Sequence, residues 1–246
     1  MKFILTCIVS LLATIFSTNA HAQTYNWVRG GGSGQVLTSE TSEAVFFSCT
    51  DPHGNYYALS VVGTLPIVAD TFYRPTGAFG SPKNVLFTSH NCSGQMRFAK
   101  LLSCNLAAPC GIVSDGGSRL YLAVDMPHYG SSSANRLRLG YDTSFATNQY
   151  QSMALIQYDT TGDFGWIRFV GADVLSTYAG TGGIYNYVAM DGSGNPHLIA
   201  TTKNGVQLTP SITSQKGFYD HTFDAGGNLL DVKKLDIDTT LLTIGL

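Results

Sequence analysis

Several carboxylates of this chain could do chemistry, and they stand in short segments rich in Asp, Gly and Asn. A glycosidase needs two facing carboxyl groups, one as acid and the other as base or nucleophile. An Asp beside Gly and Asn also closes a tight turn with its own carboxylate, and we favour that interpretation. The acids concerned are Asp51, Asp115, Asp159, Asp191 and Asp224.

The cysteines permit two disulfides, since four of them follow the N-terminal segment and an even number is typical of exported chains. We expect Cys104 to pair with Cys110, because only a short loop containing Pro109 separates them. Cys49 and Cys92 are the remaining pair. Metal binding is the rival interpretation, but no Cys-x-x-Cys motif supports it. We therefore predict neither a metal site nor a cofactor.

Neither the serines nor the histidines form a recognisable catalytic motif. The segment Gly30-Gly31-Gly32-Ser33-Gly34 lacks the last glycine of a Gly-x-Ser-x-Gly elbow, and no Gly-Lys-Ser/Thr follows it to bind phosphate. No two histidines have metal-ligand spacing. We therefore predict no catalytic residue. The histidines considered are His53, His90, His128, His197 and His221.

Two tyrosines are the best candidates for contact with a ligand. Tyr129 and Tyr141 lie in a long segment rich in Ser and Gly. An exposed tyrosine in such a loop binds glycans or proteins by flat stacking and by hydrogen bonds of its hydroxyl group. We expect Tyr56 and Tyr57, in contrast, to pack within the fold.

The elements that position these residues repeat along the chain. A large residue, an apolar residue and a base recur at intervals of roughly 70 residues. The fourth copy has Asp in place of the aromatic residue. A repeat of this length predicts an array of similar supersecondary units. The copies are Trp27-Val28-Arg29, Phe98-Ala99-Lys100, Trp166-Ile167-Arg168 and Asp231-Val232-Lys233.

Each unit contains two predicted β-hairpins. Short runs rich in aromatic and β-branched residues flank each Asp/Gly/Asn segment, which is the pattern of two strands joined by a tight turn. A unit therefore has four strands, a to d, and the loop between b and c is long, variable and rich in Ser, Thr, Gly and Pro. The a–b turns begin at Asp51, Asp115 and Asp191, and the c–d turns at Asn91, Asp159 and Asp224.

Four-stranded repeats with these turns, and with the strand Trp166-Ile167-Arg168 after a c–d turn, resemble β-propeller blades. More narrowly, the chain resembles the bacterial propeller repeat labelled SBBP, over roughly residues 24–236. The resemblance implies an all-β fold and an exported, surface or adhesin-like protein. It implies no shared active site.

The resemblance gives a β-propeller-like array of about three four-stranded antiparallel blades, incomplete or open, since propellers need typically 4–8 blades. The blades fall roughly at 43–103, 110–171 and 184–236, preceded by an outer strand near 24–30. Three interpretations stay open. The chain is a truncated propeller, a small and incompletely closed toroid, or one part of a ring that a second copy completes by self-association through open blade edges.

The N-terminus predicts a secretory signal peptide over residues 1–22. Lys2 supplies the positive charge, residues 3–16 form an apolar core, and Ala20-His21-Ala22 is a small-x-small cleavage site. The mature domain is then 23–246. We expect no membrane span in it, because no later segment approaches the ~20 apolar residues of a spanning helix. The predicted location is secreted or at the cell surface, with the periplasm as the alternative.

Composition narrows the range of partners. Charged residues make up 12% of the chain and the formal net charge is −2, whereas nucleic-acid binding requires clustered Lys and Arg. We predict a non-enzymatic extracellular binding or scaffolding protein with a protein or glycan ligand. A secreted hydrolase of carbohydrates or esters, with carboxylates from several blades, is one alternative. A structural segment of a larger surface protein is another.

Overall fold

The computed structural model describes most of the chain after residue 43. The sequence-predicted signal segment 1–22 and outer strand near 24–30 lie outside the described residues, as do Cys104, Tyr129 and Tyr141. The described ranges are 31–33, 44–62, 67–69, 72–74, 84–103, 108–126, 136–140, 143–146, 151–171, 186–202, 204–209 and 211–236.

Every regular element in these ranges is a β-strand. The strands are β1 (Gly31–Ser33), β2 (Ala44–Thr50), β3 (Tyr56–Val62), β4 (Ile67–Ala69), β5 (Phe72–Arg74), β6 (Asn84–His90), β7 (Met96–Ser103), β8 (Ala108–Ser114), β9 (Arg119–Asp125), β10 (Arg136–Leu139), β11 (Thr143–Ala146), β12 (Gln151–Asp159), β13 (Phe164–Gly171), β14 (Tyr187–Met190), β15 (Pro196–Thr202), β16 (Gln207–Thr209), β17 (Ile212–Thr213), β18 (Gly217–Phe223) and β19 (Leu229–Leu235).

Three large antiparallel sheets follow one another along the chain, and none of them is closed. Sheet I has the order β11-β10-β7-β6-β3-β2, sheet II the order β13-β12-β9-β8 and sheet III the order β14-β15-β18-β19. In each sheet, four strands consecutive in the unit pair as a meander, as the two predicted hairpins require. Two small sheets, β1-β4-β5 and β16-β17, complete the described structure.

The two tight turns of each sheet lie at the same end. Tyr56 at the start of β3 pairs with His90 at the end of β6, so the turn before β3 and the turn after β6 are neighbours. We call this the turn end. The longer connections, from β3 to β6, β9 to β12 and β15 to β18, leave from the opposite end, which we call the loop end.

One segment that the sequence predicts as loop is instead a hairpin of the core. Strands β10 and β11 belong to the b–c connection of sheet II, yet β10 pairs with β7 of sheet I, with Leu139 opposite Leu102. Leu137 is fully buried. The physical reason is the Arg-Leu-Arg-Leu alternation of residues 136–139, which gives the strand one apolar face.

Sheet II is packed on both faces. Leu120, Leu122 and Val124 of β9 join a core cluster with sheet I. The residues between them, Tyr121 and Ala123, join a second cluster with sheet III. Side chains of a strand point alternately to opposite faces, so a central strand with a neighbouring sheet on each face buries all of them, and these five side chains are fully buried.

The first strands of the three sheets lie beside one another. Strand β8 contacts β2 of sheet I on one side and β14 of sheet III on the other. The approach to β14 is close, because a Cβ atom placed on Gly111 would lie 2.7 Å from Cγ1 of Val188. A larger residue at 111 would therefore push the first strands of sheets II and III apart.

The expected Cys49–Cys92 disulfide is not formed, and Cys49 is a free thiol. Cys49 lies on β2, opposite Tyr57 of β3, while Cys92 lies in the turn after β6. Because β3 runs between β2 and β6, Cys49 is two strand spacings from β6, or about 9.6 Å. A disulfide spans Cα atoms up to ~7 Å apart. Cys110 is fully buried in β8.

Candidate functional site

The carboxylates that the sequence predicts as turn residues bind their own backbone at the turn end. Oδ1 of Asp51 accepts hydrogen bonds from the backbone N–H groups of His53 and Asn55, both at 2.9 Å. Its Oδ2 accepts one from Nδ2 of Asn55 at 2.7 Å. The same pair of backbone bonds, from the residues two and four positions later, is made by Asn91, Asp115, Asp159 and Asp191.

These bonds hold several of the carboxyl groups in their charged form. The backbone N–H of Asn195 is the largest influence on Asp191 and lowers its pKa to about 2. Burial raises the pKa of Asp51, but the hydrogen bonds from Asn55, Tyr57 and His53 together outweigh burial and the net shift is downward. The pKa values of Asp159 and Asp224 are lowered as well. A glycosidase acid needs a raised pKa, so these groups are suited to structure rather than proton transfer.

A buried tyrosine connects the turn of sheet I to sheet II. The hydroxyl group of Tyr57 donates to Oδ2 of Asp51 at 2.9 Å and accepts from Nη1 of Arg97 at 2.9 Å. The hydroxyl oxygen of Tyr57 also lies 3.5 Å from the backbone oxygen of Thr160 in the c–d turn of sheet II. Burial is the main reason that the pKa of Tyr57 is raised, and the hydrogen bond to Asp51 raises it further. This polar cluster holds two turns together and exposes no reactive group.

A histidine lies between two carboxylates on sheet III. Nδ1 of His197 lies 2.8 Å from Oδ2 of Asp220, and Nε2 lies 3.5 Å from Oδ2 of Asp191. The second distance is long for a hydrogen bond, so that contact is electrostatic. The hydroxyl oxygen of Thr222 lies 3.3 Å from Nδ1.

The two carboxylates control the proton affinity of this histidine. Burial lowers the pKa of His197, but the hydrogen bond and charge of Asp220, followed by those of Asp191, outweigh burial and raise it. The side chain is 22% exposed, so solvent screens part of the interaction. A charged imidazole held by two carboxylates can exchange a proton with a small molecule. The carboxylate of Asp191 lies on the Nε2 side of the ring, and among the described residues no serine or cysteine is hydrogen-bonded to His197.

This cluster could not be predicted from the sequence, because its three residues come from a turn and two strands. Asp191 lies in the a–b turn, His197 on β15 and Asp220 on β18. His197 pairs with Thr222 across the two strands, which places Asp220 diagonally on the same face. The repeat does contain one sequence signal for this site. The position that is Tyr57 and Tyr121 in the first two units is His197 in the third.

The repeated glycine and aromatic residues form a contact between neighbouring sheets. A Cβ atom placed on Gly162 of sheet II would lie 2.7 Å from Cδ1 of Phe98 of sheet I. One placed on Gly227 of sheet III would lie 2.7 Å from Cδ2 of Trp166 of sheet II. We call this the aromatic-on-glycine contact: the aromatic residue of one sheet covers the c–d turn glycine of the next.

The base in the repeated pattern reaches the same turn in one of these contacts. Nε of Arg168 donates to the backbone oxygen of Gly227, and Nε1 of Trp166 donates to the backbone oxygen of Ala225 at 3.0 Å. The guanidinium carbon of Arg168 also lies 5.4 Å from the centre of the Trp166 ring, within cation–π range. In this copy, the large residue and the base of the pattern thus join one sheet to the next.

The structure gives no metal centre to the described part of the chain, where no three His, Cys, Asp or Glu residues are arranged to hold an ion. Within the same ranges, no helix has the length and apolar character needed to cross a bilayer. No protein-family model matches the chain, and no curated protein matches it significantly.

Proposed function

We propose that this chain is an exported, non-enzymatic protein that binds a protein or glycan outside the cytoplasm through the loop end of a β-propeller-like array. The observation that carries the proposal is the contrast between the two ends of the sheets. The turn end consists of short turns whose polar groups bind one another, whereas the loop end carries the long, variable connections. Rigid scaffolds with variable loops on one side are typical of binding proteins.

The order and packing of the strands support the blade arrangement. In a propeller, each blade is a four-stranded meander and the sheets surround a central axis. Here β2, β8 and β14 are the first strands of sheets I, II and III, and β8 contacts both of the others. The remaining strands of each sheet follow in order away from this contact. An open array of three blades is the arrangement we propose.

The loop end offers the residues for binding. The connection between β9 and β12 contains Tyr129 and Tyr141, together with Ser131, Ser132 and Ser133. The hairpin of β10 and β11 fixes part of this connection against sheet I, which reduces the conformational entropy lost when a ligand binds. We propose that the two tyrosines contact that ligand.

The state of the turn carboxylates favours binding over hydrolysis. The pKa is lowered in four of the five predicted turn acids. The carboxylate oxygens of these acids accept hydrogen bonds within their own turns. A hydrolase remains the second candidate because of His197 between Asp191 and Asp220, the one described group suited to proton transfer. Its weakness is that no serine or cysteine is hydrogen-bonded to His197 in the described residues.

The test is binding of the purified chain 23–246 to an array of defined glycans and to a panel of purified extracellular-matrix proteins. For any probe that binds, we expect Tyr129→Ala and Tyr141→Ala each to raise Kd about tenfold or more, as loss of a central aromatic contact does. Tyr56→Ala is the control, because Tyr56 begins β3 at the turn end.

Two outcomes would contradict the binding proposal. One is that no probe binds, and the other is that Tyr56→Ala weakens binding as much as the loop variants. The hydrolase alternative is tested separately with a chromogenic acetate ester and with soluble polysaccharides. Turnover that Asp220→Asn abolishes, with the fold intact by circular dichroism, would favour the hydrolase.

A further inference from the structure

We call the face of a sheet that is turned away from the preceding sheet in the chain its forward face. On sheets I and II this is the face that packs against the next sheet. The three sheets differ in the residues of their forward faces. On sheet I the forward face carries Tyr57 and Phe87, which pack in the cluster with sheet II. On sheet II it carries Tyr121 and Leu155, which pack in the cluster with sheet III. All four side chains are fully buried, so each of these faces is built for contact with a sheet.

The same positions on sheet III hold polar residues. Counted from the a–b turn Asp, His197 occupies the place of Tyr57 and Tyr121. Counted back from the c–d turn, Asp220 occupies the place of Phe87 and Leu155. The pairing registers agree, since Tyr57, Tyr121 and His197 each pair with the residue two positions before the c–d turn residue.

The aromatic-on-glycine contact is lost at the same face. Phe98 and Trp166 cover the glycines of sheets II and III, but the corresponding residue of sheet III is Asp231, which is exposed. Three positions that are aromatic or aliphatic in sheets I and II are therefore His or Asp in sheet III. Covering the side chains of His197, Asp220 and Asp231 with an apolar sheet would desolvate them at high cost.

From this comparison we infer that sheet III is a terminal sheet whose forward face is built to face solvent, and that neither a fourth sheet of this kind nor a second copy of the chain stacks on it. The logic is that of the end units of repeat proteins, which carry a polar outer face to stay soluble. The Asp191–His197–Asp220 cluster then has a structural role, because His197 lies within ion-pair distance of both carboxylates. The inference goes beyond the proposed binding function and does not depend on it.

The inference is tested with the triple variant H197Y/D220L/D231W of chain 23–246, which gives sheet III a forward face like those of sheets I and II. We expect the wild type to keep the molar mass of one chain across a concentration series. The triple variant should shift to the mass of dimers or larger species. The measurement is light scattering coupled to size exclusion.

The control is a second triple variant, S118Y/S144L/D236W. It introduces the same three residue types at exposed positions that share no face. We expect it to remain a single chain. Equal association of this control, or a folded H197Y/D220L/D231W variant that stays a single chain, would overturn the inference.

A further variant covers the case in which the triple variant does not fold. Tyr187 lies on the forward face of sheet III and is 51% exposed. Tyr187→Lys should leave the mass of the wild type unchanged. If the wild type forms dimers that Tyr187→Lys separates, the forward face is an interface and the inference is wrong.

Discussion

At the scale of single residues, a glycine and an aromatic ring account for the most regular pattern in the chain. Gly162 and Gly227 have φ angles of 93° and 80°, in the left-handed region that favours glycine. Each also lies directly under a ring of the preceding sheet. Both requirements, backbone conformation and lack of a side chain, therefore meet at one position of the c–d turn.

These two requirements can be separated by a matched pair of substitutions. Gly194, in an a–b turn, has a φ of 81°, but a Cβ atom there would meet nothing within 4 Å. We expect Gly194→Ala to lower the free energy of unfolding by about 1 kcal/mol, the cost of the left-handed backbone alone. Gly227→Ala should lower it by about 1–3 kcal/mol more, because the Trp166 ring must move. Chemical denaturation measures both.

Equal losses in the two variants would contradict the role given to the ring. A further substitution checks the contact from its other side. Trp166→Leu removes the ring, so in that background the additional cost of Gly227→Ala should disappear while that of the backbone remains. The double-mutant cycle isolates the contact energy of Trp166 with Gly227.

At the scale of elements, the tight turns and the long connections behave differently. The six tight turns are defined by local sequence, since the side chain of the first residue accepts a hydrogen bond from the backbone N–H four positions later in every turn. The long connection of sheet II is defined by packing, because β10 pairs with β7 of another sheet. A segment that reads as a loop therefore supplies part of the core between sheets I and II.

The hairpin of β10 and β11 should be needed for stability. Leu137 is fully buried in the cluster between sheets I and II, so Leu137→Ala should lower the free energy of unfolding by about 2–4 kcal/mol through lost burial and a residual cavity. Ser144→Ala on β11 is the control, because Ser144 is exposed and such changes stay within about 0.5 kcal/mol. If Leu137→Ala is as mild as the control, the hairpin is not part of the core.

At the scale of the whole molecule, sheet II lies at the centre. The face of sheet I turned away from sheet II is buried as well, since Val62, Leu86 and Leu101 form a third core cluster. The core cluster on each side of sheet II joins it to one neighbour. His221 lies at the second of these contacts, on β18. It is 1% exposed, and its Nδ1 lies 3.3 Å from the backbone oxygen of Leu198. Protonation of this ring would place a charge between sheets II and III.

His221 should therefore make the molecule less stable at mildly acidic pH. Burial lowers the pKa of His221 in the folded chain below its ordinary value of 6.5. As the pH falls below about 6.5, the unfolded chain binds a proton at His221 that the folded chain does not bind, so the free energy of unfolding decreases. Denaturation of the wild type and of His221→Gln from pH 8 to pH 5 measures the effect. The decrease should be smaller in the variant.

His197 should change the free energy of unfolding in the opposite direction in the same experiment. Its pKa is raised in the folded chain, so its contribution to stability is present below pH 6.5 and is lost as the pH rises through the folded pKa. The difference between the wild type and His197→Asn should therefore be largest at low pH. Parallel curves for wild type, His221→Gln and His197→Asn would contradict both assignments.

Much of the architecture could be predicted from the sequence because the information is local. Each turn is closed by an Asp or Asn, most with a glycine three residues later, and these residues bond within their own five-residue segment. Alternating apolar residues then give each strand its buried faces. The predicted disulfide between Cys49 and Cys92 was wrong, because strand order decides which cysteines meet and β3 lies between β2 and β6.

The amino-acid sequence by itself determined the strands, their tight turns and the repeat of a four-stranded unit, since these depend on bonds between residues a few positions apart. Only the tertiary structure decided what the repeated aromatic residue covers, that β10 joins sheet I, and that His197 lies between Asp191 and Asp220. Those contacts join residues up to about 65 positions apart. The free energy that favours these contacts comes from burying the faces of different sheets against each other. A pattern within a few residues of the chain does not specify which faces meet.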